Sequence, residues 1–334
     1  MGRRAIALVL VSTLAVGCRA QSADRPAAPT RLAAPPDRPS LMFVSVASDD
    51  TFKHVLLGSL ASPAAGAFVT PLVCERVYFA GQRGLCLAEA PEADLPVTVW
   101  AQVFDDRFER RQRFPLTGLP SRVRLSPDGR RAAATLFSSG HSYAEHGFAT
   151  TTSILDLESG AVAVSDLEQF TVWRNGAVFK AADFNFWGVT FARDGDTFYA
   201  TLSSAKRNYL VKGSVDARNA QVIRESVECP SLSPDDTRLA FKKRIGGASG
   251  WWQLTILDLS TMTDRPLWNE SRSVDDQVEW LDAEHVMYHL TGGSTAADIW
   301  SVATDGVTRP TMVLASAYSP AVLRAGAKAA QPSP

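Results

Sequence analysis

The sequence predicts an all-β protein in which a unit of short strands repeats around a ring. The turn Ser-Pro-Asp, followed by Gly or Asp, occurs at residues 126–129 and again at 233–236. Proline presets φ in such a turn, and aspartate hydrogen-bonds to its own backbone. The aspartates of successive copies, Asp194, Asp235 and Asp282, are spaced at about the 40–50 residues typical of a four-stranded propeller blade. We therefore predict a six-bladed β-propeller, with seven blades as the alternative count.

The strands that follow these turns resemble those of one family of propellers. After the turn at 233–236 comes Arg-Leu-Ala-Phe at 238–241, and the next strand ends in Ile-Leu-Asp-Leu at 256–259. The sixth unit carries Asp-Ile-Trp-Ser-Val at 298–302. Together these motifs resemble the repeat of TolB-type six-bladed propellers, over about residues 119–306. The resemblance implies the propeller fold and a docking role at the cell envelope, although propellers as a class serve many functions.

The first 18 residues have the pattern of an export signal with a lipobox. Arg3 and Arg4 precede an apolar run at 5–16 that is too short to span a bilayer, and small residues lead directly to Cys18. We expect export and attachment of lipid to Cys18; cleavage nearby without lipid is the alternative. Residues 19–40, rich in Pro, Ala, Arg and Asp, are predicted to be a disordered tether. The protein would then face the periplasm or the cell surface, held to the membrane by its lipid alone.

The propeller is expected to occupy residues 41–325, and its two chain ends are expected to share the first blade. This blade has strands at 41–46, 54–60 and 68–73 but no inner strand with the repeated motif. The stretch Tyr-Ser-Pro-Ala-Val-Leu at 318–323 resembles such a strand. We therefore predict that it completes the first blade and closes the ring, with Val322 near Val44, before a disordered tail at 326–334. The other blades are assigned to residues 76–118, 120–167, 187–227, 229–270 and 276–314.

Three cysteines follow Cys18, and an exported protein can oxidise them. Cys74 and Cys86 are close enough in sequence to bridge neighbouring strands of the second blade, although their register about the intervening turn leaves this bond open. Cys229 would then remain an unpaired, buried thiol that behaves as a small apolar residue.

An insertion at 165–186 interrupts the repeat between the third and fourth blades. It contains Phe170, Trp173, Phe179, Phe184 and Phe186, and its Asn-Gly pair at 175–176 predicts a hairpin turn. A loop this aromatic must pack against its own ring or contact a partner. We expect a lid folded onto one end of the propeller, with a partner-binding ledge as the alternative.

The sequence lacks the motifs of common catalytic sites. It contains no Gly-x-Ser-x-Gly elbow, no His-Glu-x-x-His and no glycine-rich phosphate loop. Its formal net charge of −1 argues against a nucleic-acid partner, which needs a clustered basic surface. We therefore predict no catalytic residues, no metal ligands and no cofactor, and leave open a divalent cation bound in the channel.

Polar residues near the loops between blades are the candidates for a binding site, because these loops converge on one end of a propeller channel. They are Arg122, Asp183, Asn185, Trp187, Glu228, Arg272, Asp275 and Asp276. Acids outnumber arginines in this set, so we expect a mildly acidic funnel that favours a cation or a basic peptide. Mutual pairing of the same side chains is the alternative.

These observations lead to three hypotheses about function. The first is a monomeric, lipid-anchored propeller that binds an envelope protein or peptide on the funnel face without catalysis. The second is a metal-dependent lyase or hydrolase with Asp183, Glu228 and Asp275 as ligands, which an ordered divalent ion at the channel would support. The third is a sensor of small molecules or glycans, which a deep aromatic pocket beside Trp187 would support.

Overall fold

The structure, a computed structural model, describes residues 30–90, 98–144, 147–246, 251–291 and 297–324. Within these ranges 26 strands form six sheets, and the helical structure amounts to one 3₁₀ turn at Leu167–Gln169. The prediction of an all-β, six-bladed propeller is confirmed. The export signal with Cys18, the first part of the tether and the tail lie outside the described residues.

The blades follow one another along the chain. Blade 1 contains β1 (Ser40–Ser45), β2 (His54–Ser59) and β3 (Ala67–Val73), and blade 2 contains β4 (Arg76–Ala80), β5 (Arg83–Glu89), β6 (Thr98–Asp105) and β7 (Arg110–Thr117). Blade 3 contains β8 (Leu119–Leu125), β9 (Arg131–Ser139), β10 (Ala149–Asp156) and β11 (Ala161–Val164). Two short strands, β12 (Thr171–Arg174) and β13 (Ala177–Phe179), precede blade 4, which contains β14 (Asn185–Phe191), β15 (Thr197–Ser204), β16 (Arg207–Ser214) and β17 (Asn219–Glu225).

Blades 5 and 6 complete the ring. Blade 5 contains β18 (Glu228–Leu232), β19 (Arg238–Ile245), β20 (Trp251–Asp258) and β21 (Asp264–Pro266), and blade 6 contains β22 (Glu279–Trp280), β23 (His285–Thr291), β24 (Ala297–Ala303) and β25 (Thr311–Leu314). The last strand, β26 (Ala317–Leu323), returns to blade 1 and pairs with β1, where Val44 lies opposite Tyr318 and Leu41 opposite Val322. The prediction that a C-terminal inner strand closes the ring is confirmed.

The six inner strands, β26, β4, β8, β14, β18 and β22, all run in one direction along the central channel. Residues at or near their starts, among them Arg76 and Arg122, border a cavity at one end of the channel, which we call the mouth. Their last residues, such as Ala80 and Leu125, border a cavity at the other end, which we call the base. The paired residues Ser40 and Leu323, where the chain enters and leaves the ring, lie toward the base.

The repeated Ser-Pro-Asp turn is held by its own side chains. In blade 5 the Ser233 hydroxyl donates to Asp235 at 2.5 Å, and the Arg238 N–H donates to Ser233 Oγ at 2.9 Å. Blade 3 repeats both bonds. The residue after the aspartate has a left-handed backbone, with φ of 63° at Asp236 and 72° at Gly129. Gly and Asp are among the residues that tolerate this conformation, which explains why they end the motif.

Apolar clusters between neighbouring blades hold the described part of the ring together; six of them alternate with the six sheets. Successive side chains of a strand point to opposite faces of its sheet. In β1, Met42 and Val44 therefore pack against blade 2, whereas Leu41 and Phe43 pack against blade 6. Because both faces of a blade are covered by its neighbours, an inner-layer strand such as β1 carries apolar residues on both faces, whereas the outer strand β7 begins with four polar residues.

The aromatic insertion widens blade 4 instead of covering an end of the propeller. The predicted hairpin turn is present, with φ of 53° at Asn175 and 78° at Gly176, and β12 pairs in parallel with the outer strand β17. Phe170 and Val172 are buried in the cluster between blades 3 and 4, whereas Trp173 remains 42% exposed. The prediction of a lid is wrong. The many aromatic residues indicate that the insertion is buried, but they do not indicate which surface of the propeller it packs against.

The cysteines and the chain before β1 complete the description of the fold. Cys74 and Cys86 form a disulfide with a Cα–Cα distance of 5.5 Å. Cys229 is buried and forms no disulfide with another described residue. Residues 30–40, which their composition assigns to the disordered tether, lie partly against blade 1. The Leu32 N–H donates to the Ala67 carbonyl at 2.8 Å, so main-chain pairing with the outer strand compensates for the sparse apolar surface of this segment.

Candidate functional site

The mouth holds a cavity of about 500 Å³, formed by blades 2, 3 and 6. Its walls consist of Glu75, Arg76, Glu89, Leu119, Pro120, Arg122, Phe137, His141, Ser142, Tyr143, Ser273, Asp275, His289, Leu290 and Thr291. Leu119, Pro120 and Leu290 make one part of the wall apolar, while arginine and carboxylate groups make another part charged. We call this space the mouth cavity.

The channel narrows directly below the mouth cavity. The next space has a volume of about 30 Å³, and beneath it Arg124 forms an ion pair with Glu279 at 2.6 Å. The Tyr78 hydroxyl donates to the same carboxylate at 3.0 Å, and burial raises the pKa of Tyr78 to about 12. These side chains separate the mouth from the base, so the mouth cavity is a blind pocket.

Two guanidinium groups lie side by side at the floor of the mouth cavity. Arg76 Nε donates to the Ser121 carbonyl at 2.6 Å, and Arg122 Nη1 donates to the same oxygen at 3.0 Å. The Arg76 guanidinium stacks on Tyr318 at 5.0 Å, and that of Arg122 stacks on Tyr143 at 5.1 Å. The aromatic rings thus fix the orientation of both cations.

The carboxylates near the channel mostly have partners of their own. The pairs are Asp275 with Lys242, Asp276 with His289 and Glu75 with Lys53. Burial would raise the pKa of Asp276, but His289 and Arg122 lower it well below its usual range. Burial likewise opposes the charge of Asp275, and Lys242 and Arg122 outweigh it and lower its pKa. Each of these carboxylates is therefore held by a partner of its own.

A layer of aromatic rings supports the mouth cavity from the side of blades 3 to 5. Tyr143 packs against Trp187 at 5.5 Å and against Phe148 at 5.3 Å, and the Tyr143 hydroxyl is 2.6 Å from Ser121 Oγ. The fully buried ammonium of Lys242 lies 4.7 Å from the Tyr143 ring centre. Rings in contact on several sides restrict rotation, so this wall is rigid.

The structure brings only part of the predicted residue set to the mouth. Arg122 and Asp275 line the mouth cavity, and Asp276 lies in the narrow space below it. Trp187 and Glu228 are buried, and neither lines the mouth cavity. The prediction places these five residues on one funnel face. In the structure, two of them line the mouth cavity, one lies below it and two are buried away from it.

The other three predicted residues lie away from the mouth cavity, where they contact other parts of the chain. Asp183 accepts from Ser204 Oγ and Ala205 N–H, each at 2.7 Å, and so caps a hairpin of blade 4. Asn185 accepts from the Thr150 hydroxyl at 2.6 Å and joins blades 3 and 4. Arg272 pairs with Glu270 and stacks on Trp300. These side chains stabilise the fold locally, because each has a partner on the strand or turn next to it.

The three carboxylates that the metal-dependent alternative would use as ligands are not brought together. Asp183, Glu228 and Asp275 each have separate partners, and the described residues contain no group of three or more His, Cys, Asp or Glu side chains that could hold a metal ion. The acids of the predicted funnel contact groups outside the predicted set: Asp275, Asp276 and Glu228 contact Lys242, His289 and Arg244, and Asp183 accepts from Ser204 and Ala205. Neither an acidic funnel nor mutual pairing of its members, the alternative weighed from the sequence, describes the mouth.

Several mouth residues were absent from the prediction. Arg76 opens β4 at the position where Arg122 stands in β8, and aligning these two inner strands would have revealed it. Lys242 interrupts the apolar stretch of β19, and a charged residue in a buried strand indicates a buried partner. Tyr143 lies in a loop with no pattern of its own, and no sequence signal identifies it.

No helix among the described ranges is both long and apolar enough to cross a membrane. A scan against models of protein families found no match, and a search of curated proteins found no similar sequence. Similar proteins are therefore found by structure alone.

The solved structures that are similar to this chain include a TolB protein and a peptidase. TolB from Acinetobacter baumannii superposes with a TM-score of 0.57 and 13% sequence identity, over 85% of this chain and 65% of TolB. This chain thus spans slightly less than two thirds of that protein. A puromycin-hydrolysing peptidase from Mycobacterium tuberculosis superposes with a TM-score of 0.51 and 13% identity, over 83% of this chain and 45% of the peptidase. At these identities the similarity shows the fold alone: the described chain is a six-bladed β-propeller that is similar in fold to TolB.

Proposed function

We propose that this protein is a non-catalytic binding module that receives a segment of a protein or peptide partner at the mouth of its propeller. The mouth cavity is the observation that supports the proposal. Its volume of about 500 Å³ falls within the range of ligand pockets, and it combines an apolar wall with a few oriented polar groups. A blind pocket of this size accepts side chains or a short stretch of peptide.

The proposed location is the cell envelope, outside the cytoplasm. The Cys74–Cys86 disulfide supports an oxidising compartment. The chain enters the ring at Ser40, toward the base, so a lipid on Cys18 would hold the base toward the membrane and turn the mouth away from it. This orientation leaves the mouth accessible to a partner, as a monomeric docking platform requires.

Binding without catalysis is favoured over the two other hypotheses by the same contacts. Acids that are paired with lysine, arginine or histidine are not free to act as a general base or as ligands of a shared metal. Trp187 is 1% exposed and packs against Tyr143 and Phe148, so it offers no open ring face to a sugar. A platform needs only the shape and the charges of the mouth.

Photo-crosslinking in intact cells tests the proposal. A benzophenone amino acid is introduced at Thr291, on the rim of the mouth cavity, and, as the matched control, at the exposed Val307 on the turn after β24 at the base. We expect discrete crosslinked partner proteins from position 291 and few from 307. The same pattern from both positions, or crosslinks only from 307, would contradict the proposal.

A second measurement tests the anchor. Cell fractionation of Cys18→Ser should release the protein from the membrane fraction if lipid on Cys18 holds it there. A variant that remains in the membrane fraction would exclude this form of attachment while leaving the role of the mouth intact.

A further inference from the structure

We infer that the mouth cavity recognises the C-terminal carboxylate of a peptide partner, with Arg76 and Arg122 as the groups that bind it. This inference rests on the proposed function and adds which chemical group of the peptide is bound. Both arginines line the mouth cavity and the narrow space below it. Their shared acceptor, the Ser121 carbonyl, holds the two guanidinium groups next to each other.

Each guanidinium retains donors for a ligand. A guanidinium has five N–H donors in a planar fork. Among the residues that the structure describes, the acceptors besides Ser121 are the Glu75 carbonyl, at 3.4 Å from Arg76, and the Asp275 carbonyl, at 3.3 Å from Arg122. Arg122 is 8% exposed, and its Nε has no acceptor in the described part of the chain. A buried donor without an acceptor is unfavourable, so a ligand that supplies an oxygen stabilises the site.

Neither arginine forms an ion pair among the described residues, because no carboxylate there comes within ion-pair distance of either guanidinium. Burial opposes the charge of Arg122, yet the groups around it, Asp276 and Asp275 among them, raise its pKa. Burial and the positive charge of Arg122 lower the pKa of Arg76. Two positive charges held side by side repel each other, and an anion placed between them relieves that repulsion.

The shape of the mouth cavity selects the end of a chain. Because the channel below narrows to about 30 Å³ and is blocked by Arg124 and Glu279, a peptide cannot thread through it. A terminal carboxylate can reach the arginines at the floor while the last side chain packs against Leu119 and Leu290 in the wall. Planar forks match the planar carboxylate with two parallel hydrogen bonds.

The apolar part of the wall favours the end of a peptide over a free phosphate ion. By Coulomb's law a phosphate dianion doubles both its attraction to the arginines and its repulsion by Glu89, which is exposed at the rim of the mouth cavity, so charge does not select between the two ligands. Leu119 and Leu290 offer a surface to the last side chain of a peptide, and inorganic phosphate has no apolar group to place there.

A library of matched peptides tests the inference on the purified full chain. Peptides attached through their N-termini and varied over the last few residues are displayed as free acids and as amides. The best sequences are then titrated in solution by fluorescence polarisation, together with an amide that carries an internal glutamate and with inorganic phosphate as a competitor. We expect the free acid to bind at least tenfold more tightly than either amide, with little competition by phosphate.

Variants assign the effect to the arginines. Arg122→Lys keeps the charge but loses the fork, and Arg76→Gln removes the charge; each should weaken binding of the acid at least tenfold without changing binding of the amide. Arg207→Gln, at a side chain that is 64% exposed on blade 4, is the matched control and should change neither. Thermal unfolding verifies that each variant is folded. If Arg122→Lys does not fold, Arg76→Gln alone tests the inference.

The outcomes separate this inference from the proposed function. The acid and the amide could bind equally well, and Leu290→Trp, which fills the mouth cavity, could abolish both. This result would support docking at the mouth and overturn carboxylate recognition. A tighter complex with the internal-glutamate amide or with phosphate would overturn it as well. Absence of binding by acids and amides alike would overturn both.

Discussion

At the residue scale, Asp235 stabilises blade 5 through the turn that it shapes. It accepts hydrogen bonds from Ser233 Oγ at 2.5 Å and from the Thr237 N–H at 3.2 Å. These bonds, the Ser233 hydroxyl first, lower the pKa of Asp235 to about 2. The carboxyl of an unfolded chain titrates near a pKa of about 3.9. The charged form is therefore favoured by folding.

The low pKa of Asp235 predicts a dependence of stability on pH. Its contribution is fully present above about pH 4 and is lost as the pH falls toward 2, because the unfolded state takes up the proton first. Urea unfolding at several pH values between 5 and 2.5 should show a shallower loss of stability for Asp235→Asn than for the wild type. Asp106→Asn, at an exposed acid outside the Ser-Pro-Asp turns, is the control. An unchanged slope for Asp235→Asn would contradict the assignment.

Gly188 is the second position where a single residue decides local structure. Its φ is 65°, and a Cβ there would lie 2.7 Å from the Cα of Cys229 in the next blade. We expect Gly188→Ala to lower the free energy of unfolding by about 2–4 kcal/mol, through left-handed backbone strain and overpacking. Gly176→Ala is the matched control, since φ there is 78° but no atom lies within 4 Å. Similar losses in the two variants by chemical denaturation would show that contact with Cys229 does not matter.

At the scale of elements, an ion pair joins two inner strands across the channel. Arg124 of β8 and Glu279 of β22 are 155 residues apart in sequence, and their side chains are 7% and 6% exposed. Burying one charge without its partner is far more costly than removing both. The pair therefore constrains blades 3 and 6 relative to each other and forms the plug below the mouth cavity.

This arrangement predicts strongly non-additive substitutions. Glu279→Leu alone should lower the free energy of unfolding by about 3–5 kcal/mol, because it leaves Arg124 charged in the channel. The double variant Arg124→Met/Glu279→Leu should recover most of that loss. A double-mutant cycle by guanidinium denaturation measures the difference. Additive losses would indicate that the two side chains do not interact in solution.

The inner strand β26 is the element that joins the two ends of the chain. It contributes Tyr318, Ala321 and Leu323 to the cluster between blades 1 and 2, and Ala317 and Val322 to the cluster between blades 6 and 1. Deleting residues 317–334 should therefore abolish cooperative thermal unfolding, whereas deleting only residues 326–334 should leave the transition temperature unchanged. A cooperative transition after the longer deletion would show that the ring is stable without closure.

At the scale of the whole molecule, the sequence repeat was sufficient to predict the fold. It was not sufficient to predict which residues form the mouth cavity. The Ser-Pro-Asp turns and their spacing are local signals, and the missing inner strand of blade 1 could be matched to residues 318–323. The partners of Asp275 and Glu279 are distant in sequence, and a list of charges does not reveal which of them meet. The acidic funnel was predicted from such a list, which included Arg122 but did not show that Arg76 lies beside it.

Locating a bound peptide on the propeller tests the central claim most directly. A peptide acid selected for binding is made with a benzophenone two residues from its C-terminus and irradiated in complex with the full chain, and the crosslinked residues are mapped by mass spectrometry. The account predicts crosslinks at the mouth, to residues such as Leu119, His141 and Leu290. Crosslinks concentrated at the base, around Trp280 and Arg324, or along the β12–β13 hairpin would contradict it.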